Sequence, residues 1–182
     1  MDRSRLVIAI GGPPGSGKTT IAKMLAERLS LRHISIGMLF RDIAIKRGIS
    51  LLELSRLAQQ DPSIDYELDS LAKREAEKGG VVIDGHAAPW LLKELAHLRI
   101  AVTASIDTRL RRLAERDRKS IDEVLHETLS REQMERERFM RIYGIDISNY
   151  ADFDLVINSE RFSPSEIVKI VLRAVEIVIE RS

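Results

Sequence analysis

The segment Gly12–Thr19, GPPGSGKT, constrains the fold of this chain more than any other stretch. It has the spacing G-x-x-x-x-G-K-[S/T] of a loop whose backbone N–H groups surround phosphate oxygens and whose lysine adds a positive charge. The apolar run Leu6–Ile10 precedes it, and a sequence of helical period with Ile21 and Leu25 follows at once. We therefore predict a strand, a phosphate-binding loop and a helix whose N-terminal end faces the phosphates.

The same loop supplies the first group of candidate site residues, which would hold the phosphates of a nucleoside triphosphate. Lys18 is expected to reach the transferred phosphate, and the hydroxyl of Thr19 is expected to hold Mg²⁺. GTPases, motor ATPases and small-molecule kinases all use such a loop, so it does not identify the acceptor. The residues predicted to contact the triphosphate are Gly12, Pro13, Pro14, Gly15, Ser16, Gly17, Lys18, Thr19 and Thr20.

Short β-branched runs alternate with helical patterns along the chain, which is typical of α/β proteins with a parallel sheet. The 182 residues suffice for one well-buried core and are too few for two ordinary domains. We predict a single α/β domain in which helices flank a five-stranded parallel sheet. The predicted strands are residues 6–11, 33–35, 81–84, 100–103 and 155–157.

Two helical stretches without a strand, residues 37–78 and 107–141, interrupt this alternation. Helix starts are marked inside them by the capping-box sequences Ser50–Glu53 and Ser120–Glu123 and by the pair Asp61-Pro62. We expect both stretches to be mobile inserts. The core of the single domain would then consist of residues 1–36, 79–106 and 142–182.

Composition and charge argue against several kinds of function. Lys and Arg number 29 against 28 Asp and Glu, so neither a nucleic acid nor a membrane surface is the expected partner. The chain has no cysteine, which removes disulfides, thiolate catalysis and zinc–cysteine sites. The N-terminal apolar run, about five residues, is too short for a signal peptide or a membrane span. We expect a soluble, cytoplasmic protein.

Arginines that recur on the helices after the core strands indicate a second phosphate site. Arg109, Arg112 and Arg116 have the i, i+3, i+7 spacing of one helix face. Phosphoryl transfer between two anions needs additional positive charge, and the planar guanidinium grips two phosphate oxygens at once. A solvated face with ion pairs is the alternative interpretation. The next helix repeats the pattern with Arg131, Glu135 and Arg138.

Further candidate side chains follow the ends of predicted strands, where parallel sheets bind ligands. Ser35 ends the second predicted strand, and Arg41 lies six residues further on in a helix. Asp84 ends the third, where a carboxylate can orient Mg²⁺-bound water or a substrate hydroxyl, although Asp-Gly also forms turns. His33 lacks the spacing of a metal ligand and is interpreted as structural.

Six segments carry a resemblance to a known family: GGPPGSGKTT at 11–20, HISIGMLFRDIA at 33–44, VVIDG at 81–85, the arginine run at 109–116, REQMERERFMRIYGIDI at 131–147 and DFDLVINSERFSPSEI at 152–167. Together they resemble the archaeal-type cytidylate kinases, members of the nucleoside monophosphate kinase family with a P-loop NTPase fold. The resemblance covers essentially the whole chain, and RIYGIDI with DLVINS behind it is more specific than the loop. It implies that ATP phosphorylates CMP or dCMP with Mg²⁺, and that 37–78 is a monophosphate-binding insert and 107–141 a lid.

The resemblance also implies roles for individual residues. Ser35 and Arg41 match residues that contact the acceptor, and Arg112 and Arg116 match lid positions that cover ATP. The implied catalytic residues are Lys18, Arg112, Arg116, Arg131 and Arg138. The implied acceptor-binding residues are Ser35, Arg41, Asp84, Gly85, Arg131, Glu135 and Arg138, and the implied Mg²⁺-binding residues are Thr19 and Asp84.

Two departures from the family pattern concern the acceptor. His86 stands where family members usually have arginine, and Ala87 stands where bacterial relatives have an aspartate that reads cytosine. AMP, UMP or a non-nucleotide such as a polyol acid therefore remain alternative acceptors. A regulatory NTP-binding switch is the alternative from another class of protein. The expected partners are ATP and CMP or dCMP, and the expected assembly is a monomer.

Overall fold

The computed structural model describes residues 3–181, so residues 1, 2 and 182 of the predicted core segments lie outside it. Five strands in this range form one parallel sheet, which confirms the predicted fold class. They are β1 (Val7–Gly11), β2 (Arg32–Ser35), β3 (Val81–Asp84), β4 (Leu98–Thr103) and β5 (Leu155–Asn158). The order across the sheet is β2-β3-β1-β4-β5, with β1 at the centre.

Helices connect the strands and cover both faces of the sheet. A short 3₁₀ turn at Arg3–Arg5 precedes β1. The α-helices are α1 (Lys18–Leu29), α2 (Ile36–Arg47), α3 (Leu51–Gln60), α4 (Ser63–Glu77), α5 (Ala88–Leu91), α6 (Ile106–Asp117), α7 (Ile121–Tyr143) and α8 (Pro164–Arg181).

The hydrophobic core lies on both sides of β1, because its successive side chains point to opposite faces. Ile8 and Ile10 pack with α1 and α8 on one face. Val7 and Ala9 pack with α4 and α5 on the other. Since both faces are covered, the strands are continuous apolar runs, as is usual in parallel sheets. This arrangement places the loop between β1 and α1 in the middle of the carboxyl edge of the sheet.

Strand positions agree with the sequence prediction, and the differences are at strand ends. β4 begins at Leu98, two residues before the predicted start, because Leu98 pairs in register with Ile8 of the central strand. β1 begins at Val7, although Leu6 is fully buried. Pairing with neighbouring strands therefore determines where each strand begins and ends, and the local sequence pattern carries no information on that pairing.

The predicted capping boxes form, and one predicted helix start is shifted. Ser50 accepts from Glu53 N at 3.1 Å and donates its own N–H to Glu53 Oε2 at 2.8 Å. The box at the start of α7 has the same two bonds. α4 begins at Ser63, one residue later than Asp61-Pro62 predicted, because Asp61 ends α3 while its carboxylate accepts from Ser63 N at 3.0 Å.

Each helical stretch has a small apolar cluster of its own. Ala44, Leu54, Ala58 and Ile64 hold α2, α3 and α4 together. Leu110, Leu113 and Val124 join α6 to α7. The division into core, insert and lid remains a prediction that these clusters favour.

Within residues 3–181, none of the helices combines the length and the apolar character needed to cross a membrane.

Candidate active site

At two positions of the loop between β1 and α1, the backbone conformation and the close neighbours admit only glycine. Gly12 has φ 134°, and a Cβ there would lie 2.1 Å from the carbonyl oxygen of Val102. Gly15 has φ 80°, and its Cβ would lie 2.7 Å from the carbonyl oxygen of Arg109. The loop is thus held tightly against β4 and α6, with its concave side open to the cleft.

Lys18 is the first residue of α1 and faces the same cleft. Its Nζ lies 3.4 Å from the carbonyl oxygen of Pro13, which is a weak contact. Burial lowers the pKa of Lys18, whereas Asp84 and Glu135 raise it. Among the described residues, no carboxylate oxygen comes within 4.0 Å of Nζ, so Nζ is available to a ligand.

Asp84, at the end of β3, is fully buried beneath the loop and accepts three hydrogen bonds. Thr19 Oγ1 donates to its Oδ2 at 2.7 Å, and Ser35 Oγ donates to the same oxygen at 3.1 Å. His33 Nε2 lies 2.7 Å from Oδ1. The structure thus joins three predicted site residues, and it adds His33, which the sequence placed among purely structural residues.

Thr19 and Asp84 present the oxygen donors that Mg²⁺ prefers. Among the described residues, no group of three or more His, Asp or Glu side chains could enclose a metal by itself. Mg²⁺ usually takes one or two protein oxygens and completes its shell with phosphate oxygens and water. Thr19 lines the cleft, and the fully buried Asp84 holds its hydroxyl from behind, so the pair fits a magnesium ion that Thr19 and water would hold.

A cleft of about 1080 Å³ opens over the carboxyl ends of the strands, between α2, α4, α6 and α7. Such a volume accommodates a ligand larger than a typical drug-sized molecule. Five arginines from three helices line the cleft: Arg41 on α2, Arg112 and Arg116 on α6, and Arg131 and Arg138 on α7.

Three of these arginines, Arg41, Arg116 and Arg131, pair with carboxylates that are partly exposed. Arg116 forms two bonds of 2.7 Å with Asp117 and remains 46% exposed, and Arg41 lies 3.8 Å from the same carboxylate. Arg131 lies 4.0 Å from Glu127, and its buried Nε has no hydrogen-bond partner among the described residues. Partly exposed pairs such as those of Arg41 and Arg116 cost little to break, so these two guanidiniums can turn to an anionic ligand. Arg131 keeps an unpaired donor for such a ligand.

Two arginines of α6, Arg109 and Arg112, are fixed to the loop, which differs from the single basic face that the sequence suggested. Arg112 donates to Ser159 Oγ at 2.8 Å and to Ser159 O at 3.0 Å. Ser159 Oγ in turn donates to Ser16 O at 2.7 Å. Arg109 is buried, pairs with Glu132 and donates to Pro14 O at 3.1 Å. Tertiary packing thus makes Arg109 and Arg112 supports of the loop.

The far end of the cleft holds carboxylates from α4 and α7. Glu135 Oε2 lies 2.8 Å from His86 Nδ1. Burial raises the pKa of Glu135, but His86 and the nearby Arg138 outweigh it and bring the pKa down to about 2. Burial raises the pKa of Asp69 to about 6, against the hydrogen bond from the Tyr143 hydroxyl, which lowers it.

Sequence reasoning did not select four polar residues of the cleft and its walls. These are Asp65 and Asp69 on α4, Asp117 at the end of α6 and Ser159 after β5. The i, i+4 spacing of Asp65 and Asp69 inside an apolar helix face was the signal that could have found the first two. Gly85 and Ser35, both predicted, do line the cleft, whereas Thr20 is exposed at its edge.

Comparison with known proteins places the chain in a family. The model of the cytidylate kinase-like family matches residues 7–161. A cytidylate kinase of Staphylothermus marinus is 48% identical over 94% of this chain and 97% of that protein. One from Aeropyrum pernix is 47% identical over 90% of this chain and 95% of its own length.

Solved structures support the fold independently. A shikimate kinase from Aquifex aeolicus superimposes with a TM-score of 0.59, covering 94% of this chain and 96% of that one, at 17% identity. Identity at this level shows a shared fold alone. Because the family model and the two archaeal proteins cover most of the sequence, this chain belongs to the cytidylate kinase-like family.

Proposed function

We propose that this protein transfers the γ-phosphoryl group of ATP to CMP or dCMP. The observation that carries the proposal is that one cleft joins a phosphate-binding loop to a second set of guanidiniums, on Arg41, Arg116 and Arg131, which pair only with partly exposed carboxylates. A protein that only hydrolyses ATP needs one phosphate site, whereas a kinase with an anionic acceptor needs two. Membership of the cytidylate kinase-like family supports CMP as that acceptor.

On the donor side, the loop from Gly12 to Thr19 holds the triphosphate through its backbone N–H groups and the N-terminal end of α1. Lys18 reaches the transferred group, since its ammonium has no carboxylate partner within ion-pair distance in the described part of the chain. Thr19 and Asp84 hold the magnesium ion, directly or through water. When bound, Mg²⁺ neutralises charge on the phosphate oxygens.

On the acceptor side, the proposed contacts come from both helical stretches. Ser35 and Arg41 approach the monophosphate from β2 and α2, and Gly85 approaches it from the end of β3. Arg131 closes on it from α7. Glu135 and Arg138 lie further along α7, where His86 and Asp65 hold them in place.

The proposed transfer is in line and forms no covalent enzyme intermediate. Two anionic nucleotides repel each other, so the protein contributes position and positive charge. The guanidiniums come from α2, α6 and α7, so they converge fully only when the insert 37–78 and the lid 107–141 close over both ligands. Closure also removes water, which would otherwise hydrolyse ATP.

A panel of acceptors tests the proposal. ADP release is measured with ATP and Mg²⁺ alone, and then with CMP, dCMP, UMP, AMP and shikimate. We expect CMP and dCMP to give the highest kcat/KM, and Lys18→Ala to abolish transfer to them. Highest turnover with AMP or with shikimate would refute the cytidine assignment. ATP use that no acceptor stimulates would show a nucleotide-dependent switch instead.

A further inference from the structure

The phosphate-binding loop has few backbone donors to offer, because two of its residues are prolines. Proline has no backbone N–H, so Gly15 carries the first donor that follows Gly12. The N–H of Ser16 is used within the loop, where it donates to Pro13 O at 3.2 Å. In the part of the chain that the structure describes, the N–H groups of Gly15 and Gly17 have no acceptor. After Gly12, these two donors are what the loop can offer to a phosphate before α1 begins.

The direction of the Gly15 N–H is set from the other side of its peptide bond. In a planar trans peptide, the carbonyl and the N–H that follows it point in opposite directions. Arg109 Nη1 donates to Pro14 O at 3.1 Å, so the guanidinium holds this carbonyl toward α6. A Cβ on Gly15 would lie 2.7 Å from Arg109 O, which shows that the loop lies directly against the helix. The N–H of Gly15 therefore points away from α6, toward the concave side of the loop.

Arg109 is itself held in place by α7. Its guanidinium pairs with both carboxylate oxygens of Glu132, and the residue is only 7% exposed. The buried Nε of Arg109 has no hydrogen-bond partner among the described residues. A buried ion pair is often no more stabilising than apolar side chains of similar volume, and an unpaired buried donor lowers stability further. Stability alone therefore does not account for a guanidinium at this position.

The second free donor is oriented in the same way by other residues. Ser16 O accepts from Ser159 Oγ at 2.7 Å, and Arg112 Nη1 lies 3.4 Å from the same oxygen. The N–H of Gly17, across that peptide bond, points away from both groups. Each free N–H of the loop thus has a carbonyl behind it that a side chain from outside the loop holds, and Arg109 serves the first of them.

We propose that Arg109 is a positioning residue for the phosphoryl donor. Held by Glu132, it fixes the peptide between Pro14 and Gly15 so that the Gly15 N–H donates to a phosphate oxygen of the bound triphosphate. Successive backbone N–H groups bind an anion only when they converge on it, and fixing them in advance removes the cost of ordering them on binding. Arg109 therefore acts on the phosphate through the loop and not by direct contact. This inference rests on the donor half of the proposed function.

Binding of the two substrates, measured separately by calorimetry, tests this role. Arg109→Met keeps a long apolar stem and removes the donor to Pro14 O. We expect its Kd for a non-hydrolysable ATP analogue with Mg²⁺ to rise about tenfold, as for the loss of one hydrogen bond to a charged group, and its Kd for CMP to stay within about twofold. A residue that only stabilised the fold would not separate the two ligands in this way.

An NMR experiment observes the proposed hydrogen bond itself. The chain has ten glycines, so labelling with ¹⁵N-glycine gives a simple spectrum in which the Gly15 amide is assigned. An amide proton that donates to a phosphate oxygen shifts downfield. Saturation with the ATP analogue should therefore shift the Gly15 proton downfield in the wild-type protein and much less in Arg109→Met.

Two further variants keep the outcome decisive. Arg111→Met is the matched control, because Arg111 is exposed on the same helix and its guanidinium bonds to Asp107 O and Thr108 Oγ1 of α6 itself. It should leave both Kd values unchanged. If Arg109→Met unfolds because Glu132 is left unpaired, the double variant Arg109→Met/Glu132→Met replaces the ion pair with apolar side chains and is assayed in its place.

Three results would each overturn the positioning role of Arg109. They are an unchanged Kd for the ATP analogue in the variant, a Kd for CMP that rises by the same factor, and a Gly15 shift as large as in the wild type. Each would leave the proposed function standing if the wild-type protein phosphorylates CMP. A wild-type protein that binds the ATP analogue but phosphorylates no nucleotide would overturn the proposed function and not the role of Arg109. A wild-type protein that does not bind the analogue would overturn both.

Discussion

Alanine at position 12 would place a methyl group where the loop meets the backbone of β4. Its Cβ would lie 2.1 Å from Val102 O, whereas ordinary contacts begin at 3.4 Å, so loop and strand must separate by at least about 1 Å. Residues other than glycine also rarely adopt the backbone angle of this position, a φ of 134°. Backbone strain of about 1–3 kcal/mol and a similar cost for the forced displacement give a destabilisation of about 2–6 kcal/mol.

Gly48→Ala is the matched control, because Gly48 ends α2 with φ 66° and no atom would lie within 4 Å of its Cβ. That change carries only the left-handed strain, about 1–2 kcal/mol. Both substitutions reduce the entropy of the unfolded chain equally, so the difference between them isolates the local geometry at position 12.

The free energy of unfolding of both variants is measured by denaturant titration at 25 °C, followed by circular dichroism. We expect Gly12→Ala to be less stable than Gly48→Ala by about 2–3 kcal/mol, the difference between the middles of the two ranges, and to lose ATP binding, as the loop leaves β4. Equal stabilities within about 0.5 kcal/mol, with ATP binding retained, would refute the argument that the loop depends on this close approach.

Two further predictions concern single polar contacts. Ser159→Ala removes the hydroxyl that bridges Arg112 and Ser16 O, at 2.8 and 2.7 Å, and leaves only the weaker 3.4 Å contacts of Arg112 with the loop. It should raise the Kd of a non-hydrolysable ATP analogue about tenfold, and calorimetry that gives an unchanged Kd would contradict this. Burial raises the pKa of Asp69 from its ordinary 3.8 to about 6, so the ionised carboxylate destabilises the folded protein. This destabilisation is absent below about pH 4, grows as the pH rises to about 6 and is constant above that. Asp69→Asn, which can still accept from Tyr143, should therefore gain stability relative to the wild type over that range, by up to roughly 3 kcal/mol; a difference that does not vary with pH would contradict it.

The fold could be predicted from sequence because its signals are local. The glycine-rich loop identifies both the strand before it and the helix after it, and the capping box of Ser50 and Glu53 marks a helix start without reference to the rest of the molecule. Strand ends such as Leu98 depend on pairing with β1, which no local pattern records.

The candidate site was predictable only in part, for a similar reason. Residues at strand ends, such as Ser35 and Asp84, follow from the topology of parallel sheets. The functions of equally spaced arginines do not, because Arg112 is fixed by Ser159, which is distant in sequence, while Arg116 remains free to turn. Helix spacing shows which side chains share a face, and only the packing shows what that face meets.

The central claim is that guanidiniums from both helical stretches leave their carboxylate partners and surround the phosphates of two nucleotides. Its most direct test is a crystal structure with CMP and a non-hydrolysable ATP analogue bound together. We expect Arg41, Arg116 and Arg131 to lie within about 3 Å of phosphate oxygens, with their contacts to Asp117 and Glu127 broken. A structure in which both nucleotides occupy the cleft while these side chains stay on their carboxylates, or point into solvent, would contradict the claim.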